Sequence, residues 1–155
     1  MKDVLTLLTY IVFASVILAT VAIADSTPGR GTATSNRQIT GMATYYTVSS
    51  ARSEGTSGIL TASGKRYDES KMTCALPKQT AQAWGLKFGQ KVRVTNMANG
   101  RTALLTYTDR GPGLKSRSRG TIIDLTPAAF RALGGKLAAG KIKVKVERKK
   151  PCSQN

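Results

Sequence analysis

Residues 92–113 read VRVTNMANGRTALLTYTDRGPG, and this stretch carries the clearest strand signals in the chain. Its two valines alternate with polar residues, which is the pattern of a half-buried strand. Asn99-Gly100 is typical of a two-residue hairpin turn, because both central residues of a type I′ turn need positive φ. Residues 102–108 then form the returning strand. The stretch predicts an antiparallel hairpin that ends in the glycine-rich turn after Thr108.

Further short strands are predicted on both sides of the hairpin. Residues 41–47 (GMATYYT) and 122–125 (IIDL) are apolar runs of strand length, and residues 141–146 (KIKVKV) alternate strictly between apolar and lysine side chains. The chain contains 15 glycines, many in turn-like settings, which favours a β-rich fold over a helical bundle. Short strands joined by glycine turns leave unprotected edges unless the sheet closes, so a small closed barrel suits this pattern.

Helical signals are few. Thr126 is a candidate N-cap with Pro127 at the first helical position, and Gly134 would end a short helix there. Residues 79–84 are a weaker candidate for a second short helix, whereas residues 49–58 are polar and are predicted to form a loop. The sequence therefore predicts a mainly β fold with one or two short helices.

The two ends of the chain differ in composition from this central part. Residues 1–24 hold a lysine and then a long uncharged run ending in Ala-Ile-Ala, which predicts a secretory signal peptide, with an uncleaved anchor as the alternative. Residues 25–40 are rich in Ser, Thr and Gly and predict a flexible linker. The domain is then 41–148, and 149–155 is a basic tail. Export would put the protein in the periplasm, the cell envelope or the medium, with no stable membrane span once the signal is cleaved.

Composition limits the chemistry. The chain has 24 Lys and Arg against 8 Asp and Glu, a formal charge of +16, and no histidine. Absent histidine excludes Ser-His-Asp and Cys-His catalytic units, and two cysteines exclude a four-thiolate zinc site. We expect no metal, no cofactor and a monomer.

The surplus of positive charge, concentrated in residues 110–150, favours an acidic polymer as partner, although a solvated face is the simpler alternative. Export argues against nucleic acid.

Six short segments follow one another in a characteristic order: GMATYY (41–46), TASG (61–64), VRVTN (92–96), NG (99–100), TDRGP (108–112) and IDLT (123–126). The set resembles the RlpA-like double-psi β-barrel family of bacterial envelope proteins, whose barrel is shared with expansins, barwin-like proteins and some lytic transglycosylases. The resemblance implies a six-stranded double-psi β-barrel over 41–148, with a substrate groove that runs past the Asp109 turn.

The resemblance also implies a substrate class and a candidate catalytic residue. Enzymatic members cut peptidoglycan by lytic transglycosylation, in which a general acid protonates the glycosidic oxygen and the 6-hydroxyl of the same muramic acid unit forms a 1,6-anhydro end. Asp109 matches the aspartate of the family's Asp-Arg-Gly-Pro motif and would be that acid. Alternatively, Asp109 accepts backbone N–H bonds and braces the turn.

Two positions depart from the family pattern. Lys65 stands where active members have a glutamate after the Ser-Gly turn, and Leu76 stands where they have a histidine. A lone carboxylate in a basic surround is a poor general acid. We therefore predict an exported protein that binds or remodels peptidoglycan, or another acidic wall polymer, with weak or no catalysis. An active lytic transglycosylase using Asp109 is the alternative, and a secreted barwin-like effector is a more distant one because the dense cysteine framework of those proteins is missing.

Other residues are candidates for substrate binding. Of the two adjacent tyrosines, strand alternation turns one outward, where it could stack on a sugar ring, and the other into the core. Asp124 matches the family but equally suits a bracing role. The complete set of predicted substrate-binding residues is Tyr45, Tyr46, Thr61, Ser63, Asp68 and Arg110.

The two cysteines offer a covalent link. Export would permit a disulfide between Cys74 and Cys152, which would tie the tail to the barrel. The alternative is one buried thiol at Cys74 and an unrelated one in the tail.

Overall fold

Strands make up most of the folded part of the chain. In the computed structural model the described residues are 37–53 and 60–149. Their strands are β1 (Gln38–Tyr45), β2 (Thr73–Leu76), β3 (Lys91–Asn96), β4 (Thr102–Arg110), β5 (Thr121–Leu125) and β6 (Lys141–Arg148). Their helices are α1 (Val48–Ser53), α2 (Lys78–Trp84), α3 (Leu114–Arg117) and α4 (Pro127–Ala132), with a 3-10 turn at Leu137–Ala139. None of these described helices has the length and apolar character needed to cross a bilayer.

The strands close into a barrel in the order β1-β5-β2-β4-β3-β6. The pairs β1–β5 and β2–β4 are parallel, and the other four pairs are antiparallel. Closure pairs both sides of every strand, which removes the exposed edges that short strands would otherwise leave. The predicted six-stranded barrel is confirmed.

The barrel interior is filled by the inward faces of the strands. Val94 of β3 is in register with Val146 of β6. Val92 and Val144 lie on the same two strands, and all four side chains are fully buried. The lysines that alternate with the β6 valines stay exposed or half-buried. Both alternating patterns in the sequence therefore correctly identified the core-facing residues.

The helix beginning after Thr126 follows the sequence signals. Thr126 is fully buried, and its Oγ1 accepts a hydrogen bond from the Ala129 N–H at 3.4 Å. Pro127 is the first helical residue, and Gly134 has a φ of +79° just beyond the helix. The weaker helix is also present as α2, which ends at Gly85 in the left-handed conformation.

Three local expectations differ from the structure. Helix α1 lies in the segment predicted to be a loop, and α3 had no sequence signal in its favour. Strand β1 begins at Gln38, three residues before the predicted start of the domain at Gly41, because Gln38 pairs with Glu147 of β6.

The β3–β4 turn is longer than the two residues predicted. Residues 97–101 connect the strands, and the Gly100 N–H donates to the Asn96 carbonyl at 2.9 Å. The Asn96 side chain accepts the Ala98 N–H at 2.9 Å, so it organises a wider turn. Gly100 keeps the positive φ, +71°, that the turn signal predicted.

The predicted signal peptide, 1–24, and all of the tail after Lys149 lie outside the described residues. The same holds for the predicted linker up to residue 36. Those domain boundaries therefore stay predictions.

Candidate functional site

Four strands bring one row of residues together at one end of the barrel. Thr44 of β1 is in register with Asp124 of β5, Asp124 with Ala75 of β2, and Ala75 with Asp109 of β4. Adjacent strands are about 4.8 Å apart, so the Cα atoms of the two aspartates lie about 10 Å apart, with Ala75 between them in the row. The parallel pairings align the carboxyl end of β1 with that of β5, and the carboxyl end of β2 with that of β4. The antiparallel β2–β5 pairing joins the two pairs at this row.

Asp109 is held by three donors. Its Oδ1 accepts the Ala62 N–H and the Arg110 N–H, each at 2.8 Å, and its Oδ2 accepts the Tyr46 hydroxyl at 3.3 Å. The Ser63 N–H also donates to the Thr108 carbonyl at 3.0 Å. The half-buried carboxylate therefore fastens the loop around Ala62 onto the end of β4.

Two tyrosines form one wall of this site. The Tyr46 and Tyr67 rings lie 4.5 Å apart, and the Tyr67 hydroxyl donates to the Tyr46 carbonyl at 2.5 Å. Burial raises the pKa of Tyr46, and the nearby Asp109 charge raises it further. Burial likewise raises the pKa of Tyr67, and the Glu69 charge adds to the effect. Both phenols are thus fixed as neutral donors.

The two adjacent tyrosines separate as strand alternation predicts. Tyr46 faces Asp109, whereas the Tyr45 ring packs 5.2 Å from the ring of buried Phe130. Tyr45 is placed with the core, and Tyr46 is the member of the pair at the site.

The Asp124 side chain, near the end of β5, is hydrogen-bonded to a neighbouring strand. Thr44 Oγ1 donates to its Oδ1, and a side chain added at Gly111 would lie 3.0 Å from its Oδ2. Glycine at 111 therefore lets the β4 turn approach Asp124 closely. This geometry is that of a brace between β1, β5 and the turn.

A cleft of about 510 Å³ lies beside the Asp109 loop. Of the predicted substrate-binding residues it includes Thr61 and Asp68, and its lining is Thr61, Lys65, Arg66, Tyr67, Asp68, Glu69, Lys71, Thr73 and Thr108. Thr61 and Ser63 bond to each other through their hydroxyls at 2.9 Å. Asp68 accepts the Ser70 N–H and hydroxyl, and these bonds lower the pKa of its carboxyl.

Arg110 is not among the residues that line this cleft. Its side chain is exposed, and its guanidinium carbon is 5.9 Å from the centre of the Phe88 ring. The predicted site residues thus divide into a group around Asp109 and the larger cleft, the outlying Arg110, and the core-packed Tyr45.

The two positions that depart from the family pattern lie in different surroundings. Lys65 is exposed on the loop that contributes to the larger cleft. Leu76 is fully buried in β2, and its carbonyl accepts the Gly111 N–H at 3.3 Å. Position 76 here serves packing and backbone pairing.

The predicted disulfide is half outside the described residues. Cys74 has no disulfide partner among the described residues; it is fully buried in the barrel core, and burial raises the pKa of its thiol. Cys152 lies in the undescribed tail, so the bridge stays a prediction. Within residues 37–53 and 60–149, no three His, Cys, Asp or Glu side chains gather as metal ligands.

Sequence reasoning missed Tyr67, which is only 8% exposed and forms part of the site wall. The available signal was an aromatic residue in an otherwise polar stretch, which indicates local burial. Its contact with Tyr46 depends on the fold, because the two lie 21 residues apart.

Comparison with known proteins identifies the family. The family model for lytic transglycolases matches residues 38–146, which is almost the whole barrel. The chain belongs to the RlpA-like double-psi β-barrel family. It is 37% identical over 107 residues to a probable endolytic peptidoglycan transglycosylase RlpA of Nostoc, an alignment that covers 69% of this chain and 24% of that protein. It is 36% identical over 115 residues to the endolytic peptidoglycan transglycosylase RlpA of Pseudomonas aeruginosa, covering 67% of this chain and 30% of that protein. The RlpA-like chain thus spans about a quarter to a third of these relatives.

Solved structures agree on the fold. An apo expansin of Clavibacter michiganensis superposes with a TM-score of 0.52 at 22% identity, covering 75% of this chain and 52% of the expansin. A mutant of that expansin in complex with cellohexaose gives a TM-score of 0.51 at 20% identity, covering 76% and 54%. At this identity the likeness supports the RlpA-like barrel alone.

Proposed function

We propose that this protein binds or remodels peptidoglycan in the cell envelope, holding the polymer at the Asp109 end of the barrel with little or no cleavage of glycan bonds. The relatives named above are described as endolytic peptidoglycan transglycosylases, which supports the polymer class. The charge of +16 supports attraction to the carboxylates of that polymer.

The proposal rests on one observation: both oxygens of the Asp109 carboxylate already accept hydrogen bonds within the protein. Oδ1 already accepts two backbone N–H groups, and Oδ2 accepts the Tyr46 hydroxyl. A general acid must instead carry a proton on one of these oxygens and turn it toward a glycosidic oxygen. The arrangement supports a bracing carboxylate that shapes the binding surface.

The departures from the family pattern point the same way. The family's glutamate and histidine are replaced by exposed Lys65 and buried Leu76. Asp109 therefore has no second carboxylate or imidazole from those positions to share its proton. Binding of the polymer requires neither a second carboxylate nor an imidazole.

The alternative function is lytic transglycosylation with Asp109 as acid and then base. Its support is the position of Asp109 at the end of β4 beside the larger cleft, with a neutral tyrosine hydroxyl 3.3 Å away. Protonation of the glycosidic oxygen, followed by attack of the 6-hydroxyl on the anomeric carbon, would leave a 1,6-anhydro end without water. Because the attacking 6-hydroxyl belongs to the same muramic acid unit, the protein does not have to bind and orient a separate nucleophile.

Incubation with purified sacculi tests both functions. We expect the protein to sediment with sacculi, to lose this association at high salt, and to release no anhydro-muropeptides detectable by mass spectrometry. Asp109→Asn should bind as well as the parent. Anhydro products that disappear in Asp109→Asn would establish the enzyme instead, and failure to sediment at low salt would remove both functions.

Export is the second part of the proposal. Residues 1–24 would direct secretion and be cleaved after Ala24. Intact mass of the protein recovered from the envelope or medium tests this directly, because a retained leader adds 24 residues. The same spectrum before and after reduction detects a Cys74–Cys152 bridge as a gain of two hydrogens.

A further inference from the structure

One buried hydroxyl in the larger cleft, that of Thr108, has no hydrogen-bond partner in the described part of the chain. Thr108 lines the cleft and is only 6% exposed. Buried polar atoms in folded proteins are nearly always hydrogen-bonded, because an unpaired one lowers the stability of the fold. An unpaired hydroxyl in the wall of a cleft therefore indicates a group that bonds to a ligand.

A bulge in β4 directs this side chain. In the β2–β4 pairing, Cys74 is in register with Tyr107 and Ala75 with Asp109. Thr108 is therefore an extra residue with no register partner on β2. The bulge interrupts the alternation of the strand, so that Tyr107 and Thr108 are both buried. Bulges of this kind commonly turn a side chain toward a functional site, and this one places the Thr108 hydroxyl one residue before the Asp109 carboxylate.

Thr61, a second buried threonine in the same cleft, has partners for its hydroxyl. It is 7% exposed, and its Oγ1 bonds to the Ser63 hydroxyl at 2.9 Å and donates to the Lys65 carbonyl at 3.0 Å. The Ser63 N–H donates to the Thr108 carbonyl at 3.0 Å, which fastens the loop to β4 through the backbone. The loop thus satisfies its own hydroxyls and does not engage the hydroxyl of Thr108.

The charges around the larger cleft nearly cancel. Its charged lining residues are three cations and two anions: Lys65, Arg66, Lys71, Asp68 and Glu69. Asp68 accepts the Ser70 hydroxyl at 2.6 Å, and Glu69 accepts the Val48 N–H at 3.1 Å. The volume of about 510 Å³ exceeds that of a second cleft beside Phe88, about 280 Å³, and lies in the range of about 300–1,000 Å³ usual for ligand sites. A nearly neutral cleft with a hydroxyl that can both donate and accept suits an uncharged sugar.

We infer that Thr108 is a ligand-binding residue whose hydroxyl bonds to a hydroxyl or acetamido group of one sugar unit in the glycan strand. The inference rests on the proposed function and adds to it, because it places that sugar unit in the larger cleft, next to Asp109. The hydrogen bond that Thr108 lacks within the described residues is made when the sugar binds.

Thermal melts of Thr108→Val separate a ligand-binding hydroxyl from a structural one. Valine keeps the shape of the side chain and removes the hydroxyl, so the variant should melt at the same temperature as the parent or higher. Thr126→Val is the structural comparison and should melt lower, because the buried Thr126 hydroxyl donates to the Lys71 carbonyl at 2.6 Å. A clear loss of stability in Thr108→Val would show that its hydroxyl is paired within the protein, which would overturn the inference.

Binding is measured on the full chain with tetra-N-acetylchitotetraose, a soluble and uncharged chain of acetamido sugars, by nitrogen-15 chemical-shift titration. We expect the sugar to shift the amides of Thr61, Ser63 and Thr108 in the parent, and to bind Thr108→Val about three- to tenfold more weakly. Thr108→Ser keeps a hydroxyl and should bind nearly as well as the parent. The matched control is Thr121→Val, at a threonine that is 5% exposed and outside the cleft lining, and it should bind like the parent.

The outcomes separate this inference from the proposed function. Equal affinity of Thr108→Val and the parent, shifts confined to other surfaces, or no binding of the tetrasaccharide would each overturn the Thr108 site, even if the protein sediments with sacculi. A parent protein that does not sediment with sacculi at low salt would remove the proposed function, whatever the tetrasaccharide shows.

Discussion

The hydroxyl of Tyr46 lies 3.3 Å from Oδ2 of Asp109, although the two residues are 63 positions apart in the chain. This contact joins the end of β1 to the end of β4 across the barrel opening. Together with the Ala62 N–H, it makes Asp109 the meeting point of two strands and one loop.

Asp109→Ala should therefore destabilise the fold. Removing the carboxylate leaves the Ala62 N–H and the Tyr46 hydroxyl without their acceptor, which costs about 1–3 kcal/mol in the free energy of unfolding. Asp109→Asn keeps one acceptor oxygen and should cost less. Urea unfolding measures both, with Asp68→Ala as the control, because among the described residues exposed Asp68 bonds only within its own loop. Equal stability of Asp109→Ala and the parent would contradict the bracing role.

Stability should fall in alkaline solution. Burial raises the pKa of Tyr46, Tyr67 and Cys74 above their ordinary values of 10.0 and 9.0. The folded state then keeps protons that the unfolded chain loses, so the contribution is complete below about pH 9 and declines above it. Unfolding measured between pH 8 and 11 should show this decline, and Tyr46→Phe should make it shallower. An unchanged slope in Tyr46→Phe would be inconsistent with a protonated, buried phenol.

Gly41→Ala should disturb the β1–β5 pairing. A Cβ at this position would lie 2.5 Å from Ile122 Cγ2 and 3.0 Å from the Gly120 carbonyl, which is too close. We expect a loss of about 1–3 kcal/mol in the free energy of unfolding, as for overpacked cores. Gly113→Ala is the control, because nothing lies within 4 Å of its Cβ and its φ is −65°. Thermal melts of the two variants compare them directly.

The lysines of β6 should contribute to wall binding and little to folding. Replacing Lys141, Lys143 and Lys145 by Gln removes three charges from one strand, and only Lys145 has an ion-pair partner, Glu147 at 3.3 Å, among the described residues. Such a partly exposed pair is worth about 0–1 kcal/mol. We expect weaker co-sedimentation with sacculi and a nearly unchanged melting temperature.

The control for this prediction removes the same number of charges elsewhere, at the exposed residues Lys115, Arg131 and Lys136. If both triple variants bind equally, net charge alone governs attraction and β6 has no special part. Unchanged binding in both would discard electrostatic attraction altogether.

The sequence predicted what depends on local pattern. Alternation located Val94 and Val144 in the core, and the Thr126-Pro127 pair located the start of α4. The order of six motifs supplied the barrel family, which the family match confirms.

What escaped prediction depends on contacts between distant segments. The start of β1 at Gln38 is set by pairing with Glu147, and the wider β3–β4 turn is set by the side chain of Asn96. The partnership of Tyr46 with Tyr67 likewise follows from the barrel and from no local periodicity. Asp109 could be identified as a candidate, but its three donors could not.

Gln38 and Glu147 are register partners on adjacent strands, so the polypeptide enters and leaves the barrel at neighbouring points. Strand β1 runs eight residues from there to Tyr45, beside the Asp109 opening, a span of about 26 Å. The Arg37 and Arg148 side chains beside these points both lie near Gly85 at the end of α2. Because the two points are so close, a short linker could join them, which favours circular permutants whose new termini lie in an exposed loop.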